Sequence, residues 1–298
     1  EADDCRDKDF VLRSQEDVMA LAGSGCAQVR NLEITGDISD LSVLGGLDRI
    51  CGSLWVFHVY SLASLEGLEN IRAIGNDTSG LSIELYWVPA LESVSGLRGV
   101  VGALPGSLII IDARMLASLD GLEGITAIGK DDGGKSIHLH SVPALESVSG
   151  LRNVAGALPG SLDIDHADQL ASLDGLEKIT AIGGDFNGQS IHLHFVLALE
   201  SVSGLHGVAG ALPGSLIIGL EGITAIRSIY LRSVPALESL SGLRNVAGAL
   251  QGSLIIEHAD QLASQCCGRV AGQSRNRALS VRPAQCCGRV DADQLASL

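Results

Sequence analysis

Six histidine and aspartate residues occupy alternate positions in three short segments of the chain. The segments read SIHLH, SLDID and SIHLH, and the six residues are His138, His140, Asp163, Asp165, His192 and His194. Side chains two residues apart on a β-strand point the same way, and adjacent strands lie about 4.8 Å apart. Three neighbouring strands would therefore bring all six side chains into one patch. Imidazole and carboxylate groups are good ligands for divalent transition metals, so the spacing predicts a metal site.

A ladder of solvated histidines and aspartates, without metal, is the alternative interpretation of the same residues. Each carboxylate would then favour the protonated form of the imidazole beside it, an interaction worth little at a solvated surface. Duplication of the repeat also explains why HLH occurs twice. Both interpretations require the three segments to be neighbouring parallel strands.

The chain is built from an internal repeat with a period of 54 residues. Residues 161–214 nearly repeat residues 107–160, residues 53–106 are a looser copy, and residues 215–252 are a shortened one. Each period holds two units of about 25 to 29 residues, with the pattern SLxI, then LxSLxGL, then a third apolar stretch. Repeats of this length are typical of solenoids, in which each unit buries its apolar side against its neighbours. Alternation in SLDID and SIHLH indicates strands, so we expect an all-β parallel β-helix with three strand-bearing sides.

Composition limits the possible partners. The chain has 298 residues, a formal net charge of −15 and only 3% aromatic residues against 46% hydrophobic residues. The core must therefore be aliphatic, and an acidic surface repels nucleic acid. No apolar run is long enough to span a membrane. We expect neither a nucleic-acid partner nor a membrane span.

The first thirty residues lie outside the repeat and predict a cap for the solenoid. Ser14 is a typical helix N-cap, followed by acidic Glu16 and Asp17 in the first turn. Cys5 and Cys26 bracket this helix, and a disulfide between them would tie the leading strand to the far end of the helix.

The order of Cys5, a strand, a helix, Cys26 and then NLEITG resembles the opening of the receptor L domain. This β-helical module binds ligands in insulin-type and epidermal-growth-factor-type receptors and has relatives in fungal and protist surface proteins. The later units, up to residue 264, resemble it too. The resemblance implies an extracellular or cell-surface location and a ligand-binding first sheet. No cysteine-rich module or kinase follows, and the units outnumber those of one L domain, so receptor function does not transfer.

The outward positions of the first predicted strands suggest a binding surface. Those in the earlier units are Trp55, Phe57, Glu84, Tyr86, Ile109 and Ile111. Exposed aromatic and aliphatic side chains gathered on one sheet mark an interaction site. We therefore expect a recognition or adhesion module with a protein or glycan partner. The alternative is a structural cell-surface solenoid that acts as a spacer and assembles through its open C-terminal edge.

Other chemistry is not indicated. The chain lacks the GxSxG, P-loop, dinucleotide and HExxH motifs, so we expect no enzyme and no cofactor. Asn76, with Asp77 and Thr78, forms an N-glycosylation acceptor, which fits a secreted surface loop.

The repeat pattern also predicts where the parts of the chain begin and end. We expect a cap over residues 1–30, a solenoid over 31–264 that is irregular at 215–227, and a disordered Cys/Arg-rich tail over 265–298.

A glycine recurs at one corner of the units, where the backbone needs either a positive φ or close approach. The glycines are Gly67, Gly96, Gly121, Gly150, Gly175, Gly204 and Gly242.

Overall fold

One long parallel sheet forms the first side of a β-solenoid, as predicted. The structure is a computed structural model that describes residues 5–208 in full and, beyond them, the backbone of four strands. Strands are numbered along the chain. The first sheet contains β1 (Phe10–Ser14), β3 (Leu32–Asp37), β5 (Leu54–Phe57), β7 (Leu81–Tyr86), β9 (Ser107–Ile111), β11 (Lys135–His140), β13 (Ser161–Asp165), β15 (Gln189–His194), β16 (Ser215–Gly219), β17 (Ile229–Arg232), β18 (Leu254–Glu257) and β19 (Ser280–Arg282).

The second side carries shorter parallel strands in three small sheets. They are β2 (Gln28–Val29), β4 (Arg49–Ile50) and β6 (Ala73–Ile74), then β8 (Gly102–Leu104) with β10 (Ile125–Ile128), and β12 (Gly156–Leu158) with β14 (Ile179–Ile182). The fold class is therefore confirmed: each unit contributes a strand to the first side, and most units contribute one to the second.

The third side is less regular than predicted. Its LxSLxGL segments make single bridges, such as Ser118 with Ser147, next to short 3-10 turns. These turns span Ser42–Leu44, Ser95–Leu97, Ser149–Leu151 and Ser203–Leu205. The Ser147 hydroxyl accepts the amide N–H of Ser149 at 3.0 Å, which closes a bend before a strand can extend. Two sides thus carry strands, and the third carries bends.

The interior is a continuous aliphatic column. Leucine, isoleucine and valine side chains from every unit between residues 5 and 208 are buried in it, and Phe10 is the one aromatic side chain in that range that packs against it, partly buried. Identical units stack most easily with side chains of similar size. The other aromatic residues between residues 5 and 208 are half-buried or exposed.

The glycine corner meets both predicted needs: close approach occurs at every described corner, and a positive φ is added in alternate units. Gly121 has φ of +108°, a backbone region that L side chains rarely adopt. Gly150 has an ordinary φ, but a Cβ there would overlap the carbonyl of Leu119 in the preceding unit. Each corner therefore needs glycine, for two different physical reasons.

The N-terminal cap is confirmed. Helix α1 (Gln15–Gly23) begins at Ser14, whose hydroxyl accepts the amide N–H of Asp17 while the Asp17 carboxylate accepts that of Ser14. Val18 and Leu21 of the helix are buried against the first unit. Cys5 and Cys26 form the predicted disulfide, with 5.6 Å between their Cα atoms.

The first sheet continues past the short unit. Leu216 of β16 pairs directly with Ile229 of β17, so this sheet keeps its register where irregularity was expected. Strand β19 lies within the tail that was expected to be disordered, and it pairs with β18. An open strand edge offers unpaired backbone groups that recruit such a segment. The other expectations for residues 209–298 lie outside the described residues.

Candidate functional site

The outer face of the first sheet is only partly open where the partner surface was predicted. Trp55, Phe57, Glu84, Tyr86 and Ile111 are half-buried, whereas Ile109 is only 7% exposed. Ile109 pairs in register with Glu84 on one side and His138 on the other, so it lies between two longer side chains on the same face. The prediction that Ile109 is exposed is therefore wrong. Burial, followed by the charges of Asp77 and Asp131, raises the pKa of Glu84.

A column of left-handed residues follows the strands of this sheet. The residue directly after each of β5, β7, β9, β11, β13 and β15 has a φ near +50°, and these residues are His58, Trp87, Asp112, Ser141, His166 and Phe195. Their amides continue the parallel ladder, as where His166 N–H donates to the His194 carbonyl at 2.9 Å. None of the six is glycine, so the bend displays a side chain in each of these six units.

An aromatic cluster forms where this column meets the first sheet, and its members are Phe57, His58, Tyr60, Tyr86 and Trp87. The rings of His58 and Trp87 stack with centroids 4.9 Å apart, and those of Tyr86 and Trp87 stack at 5.9 Å. Trp87 is 41% exposed and Tyr60 is 55% exposed. A cleft of about 220 Å³ opens beside them, lined by Tyr60, Trp87, Pro89, Asp112 and Arg114.

Sequence reasoning identified Phe57 and Tyr86 but missed His58, Tyr60 and Trp87. Strand alternation says nothing about residues that follow a strand. The available signal was compositional: the whole chain has two Trp, three Tyr and four Phe, and five of those nine lie between residues 55 and 87.

The six predicted metal ligands divide into two clusters. The register aligns His138 with Asp163 and His192, and aligns His140 with Asp165 and His194, as expected. The two rows have different surroundings, however. We call them the Asp163 cluster (Lys135, His138, Asp163, His192) and the Asp165 cluster (His140, Asp165, His166, His194).

The Asp163 cluster is buried and already contains a cation. Lys135 Nζ lies 3.0 Å from Asp163 Oδ2 and 3.2 Å from His138 Nδ1. Burial, with a further contribution from the charge of Lys135, lowers the pKa of His138 to about 4. Burial opposes ionisation of Asp163, but the hydrogen bond with His192 and the nearby cation outweigh it and hold the pKa of that carboxyl well below its usual range. At neutral pH this cluster is a satisfied ion pair beside a neutral imidazole.

The Asp165 cluster is more open and contains one more imidazole than predicted. Asp165 lies within hydrogen-bonding distance of the Nδ1 atoms of three histidines: 3.2 Å for His140, 2.6 Å for His166 and 3.0 Å for His194. His166 belongs to the left-handed column, which is why alternation did not find it. Its side chain is 46% exposed, so solvent reaches the cluster.

Asn76 and Cys51 lie apart from these clusters and differ in how exposed they are. Asn76 is exposed, with its side chain accessible in a polar turn, as a glycosylation acceptor must be. Cys51 is the free cysteine among residues 5–208, and it is half-buried.

None of the described helices has the length and apolar character that a membrane crossing requires.

No protein-family model, curated protein or solved structure matches the chain. The likeness to receptor L domains stays a prediction that rests on the motifs of the sequence.

Proposed function

We propose that the chain is an extracellular recognition module that binds a protein or glycan partner through the aromatic cluster. The observation that carries the proposal is the concentration of scarce aromatic residues at one surface. No aromatic side chain is fully buried in the core between residues 5 and 208, against which only the partly buried Phe10 packs, yet five of the nine aromatic residues of the chain lie within two adjacent units. These five rings are therefore not part of the buried core.

The geometry of the cluster suits recognition. Large, flat side chains with few rotatable bonds supply much contact area at low entropic cost, and Trp and Tyr dominate the energy of many interfaces. Trp87 lies in the left-handed column with φ of +55° and is 41% exposed, so its ring is available to a partner. Asp112 and Arg114, 3.4 Å apart at the rim of the cleft, add one group of each charge for polar contacts.

The extracellular assignment rests on three features. The Cys5–Cys26 disulfide suits an oxidising compartment, Asn76 offers an exposed glycosylation acceptor, and the motifs resemble a cell-surface module. Each feature is compatible with secretion, and together they support a surface protein.

Binding of the labelled full-length chain to panels of immobilised glycans and of extracellular proteins tests the proposal. We expect at least one saturable partner, and we expect Trp87→Ala and Tyr60→Ala each to weaken it about tenfold or more, as for central aromatic anchors. Phe186→Ala is the matched control, because Phe186 is an aromatic residue that is 79% exposed on a polar loop outside the cluster. Equal loss in all three variants, or full retention by the first two, would contradict the assignment. Retention would favour the structural spacer instead.

A further inference from the structure

We propose that His140, Asp165 and His166 form a binding site for a divalent transition-metal ion such as Zn²⁺. One ligand atom from each of the three residues lies within 4.8 Å of the others. His140 Nδ1 is 3.2 Å from Asp165 Oδ2, and His166 Nδ1 is 2.6 Å from Asp165 Oδ1. Donor atoms at 2.0 to 2.2 Å around a tetrahedral ion are about 3.3 to 3.6 Å apart. Small side-chain rotations would therefore admit an ion between them.

His194 positions the carboxylate. Its Nδ1 lies 3.0 Å from Asp165 Oδ1, while its Nε2 is buried and has no hydrogen-bond partner. An N–H at that buried Nε2 would lose its hydrogen bond to water without replacement, so the neutral ring keeps its proton on Nδ1 and donates it to Asp165. Metal sites commonly hold their ligands through such outer hydrogen bonds.

The backbone and a neighbouring ring hold His166 in place. His166 has φ of +53° and packs against Phe195 with ring centroids 4.3 Å apart. The bend directs this imidazole back over Asp165, and Phe195 limits its alternatives. The site is therefore preformed on one side and open to solvent on the other, which leaves room for a water ligand to the ion.

The preceding copy of the repeat lacks the carboxylate and the third imidazole of this site. Ile111 and Asp112 occupy the positions that correspond to Asp165 and His166, although the surrounding sequence is nearly identical. The neighbouring row is also unsuitable, because the ammonium group of Lys135 already contacts Asp163 and His138. Of the six residues that the sequence suggested, only His140 and Asp165 belong to the proposed ligand set, and His166 completes it.

Two imidazole nitrogens and one carboxylate oxygen define the chemical class of the ion. Imidazole suits zinc, copper, nickel and iron, whereas calcium and magnesium prefer oxygen ligands alone. Binding requires unprotonated nitrogens, so uptake of the ion should release protons and weaken as the pH falls.

Calorimetric titration of the metal-free full chain with Zn²⁺ tests the site, with Co²⁺ absorption as a second readout of coordination geometry. Cys51, Cys266, Cys267, Cys286 and Cys287 are changed to serine in every sample, so that free thiols do not compete for the ion. We expect one saturable site at micromolar Zn²⁺ and a cobalt spectrum of nitrogen and oxygen ligation. Asp165→Ile and His166→Asn should each weaken binding about tenfold or more. Asparagine tolerates the left-handed backbone, so His166→Asn tests the imidazole rather than the bend.

Asp163→Ile is the matched control. It removes the same charge from the same sheet and introduces the residue that stands at this position in the preceding repeat, Ile109. We expect its affinity for Zn²⁺ to stay within about threefold of the parent, since ordinary surface attraction of a cation contributes little. Absence of saturable binding in the parent would overturn the proposal. So would an equal loss in Asp163→Ile and Asp165→Ile, because charge attraction would then explain the binding. Circular dichroism and thermal unfolding of each variant are measured to check that the fold is retained.

Discussion

The ammonium nitrogen of Lys135 lies 3.0 Å from the carboxylate of Asp163, across the pairing of β11 with β13. This ion pair is mostly enclosed, and His138 beside it is kept neutral by burial and by the nearby cation. In the Asp163 cluster the carboxylate and the ammonium group are therefore already partners, whereas the Asp165 cluster next to it is open to solvent. The two rows should differ in their response to acid as well as to metal.

His138 should make the protein less stable in mild acid. The pKa of His138 is about 4 in the folded chain, against an ordinary value of 6.5, so the unfolded chain binds the extra proton between these values. The free energy of unfolding should therefore fall as the pH drops from about 6.5 to 4, by up to about 3 kcal/mol from this residue. Urea unfolding at several pH values measures it. His138→Gln should show a shallower decline over that window, and an unchanged decline would contradict the assignment.

The disulfide should stabilise the cap. Linking two residues 21 positions apart reduces the entropy of the unfolded chain, which is worth about 3 kcal/mol. Cys5→Ser combined with Cys26→Ser should lower the free energy of unfolding by that amount in urea titrations. Cys51→Ser is the control, because Cys51 is a free thiol in the same part of the solenoid. A similar loss in both samples would mean that the disulfide does not constrain the fold.

Gly150 should tolerate no side chain. A Cβ there would overlap the carbonyl oxygen of Leu119, so the two units must separate, at a cost of about 2 to 3 kcal/mol or more. Gly156→Ala is the comparison: Gly156 has φ of +82° but open space around it, so it should lose only about 1 kcal/mol. Thermal and urea unfolding distinguish the two variants. Equal losses would contradict the prediction, because the overlap with Leu119 would then be relieved without separating the two units.

Ser141→Gly should stabilise the protein. Ser141 has φ of +54° with no ring contact to retain it, so glycine relieves about 1 kcal/mol of backbone strain. Ala157→Gly, on an exposed position of β12, should instead cost about 0.5 to 1 kcal/mol, because its backbone is not left-handed. Urea titration of both variants measures the change in the free energy of unfolding. A loss of stability in both variants would show that the bend carries no strain.

The sequence alone was enough to predict the solenoid, its cap and the alignment of the histidine and aspartate rows. Repetition forces each unit to stack on the next, and strand alternation then decides which side chains face outward. Ser14, Cys5 and Cys26 signal the cap through local chemistry that does not depend on distant parts of the chain. The alignment of Asp165 between His140 and His194 follows from the same two regularities.

Only the tertiary structure separated the two rows and completed the site. A β-bulge between Lys135 and Ile137 reverses the alternation, so Lys135 reaches the outer face although its spacing from Ile137 and Leu139 predicts an inward side chain. The left-handed residue after β13 turns the imidazole of His166 over Asp165, and no periodicity extends past the end of a strand. Both departures are single-residue backbone events. Their position depends on how neighbouring units pair, which a pattern of residue types within one unit does not contain.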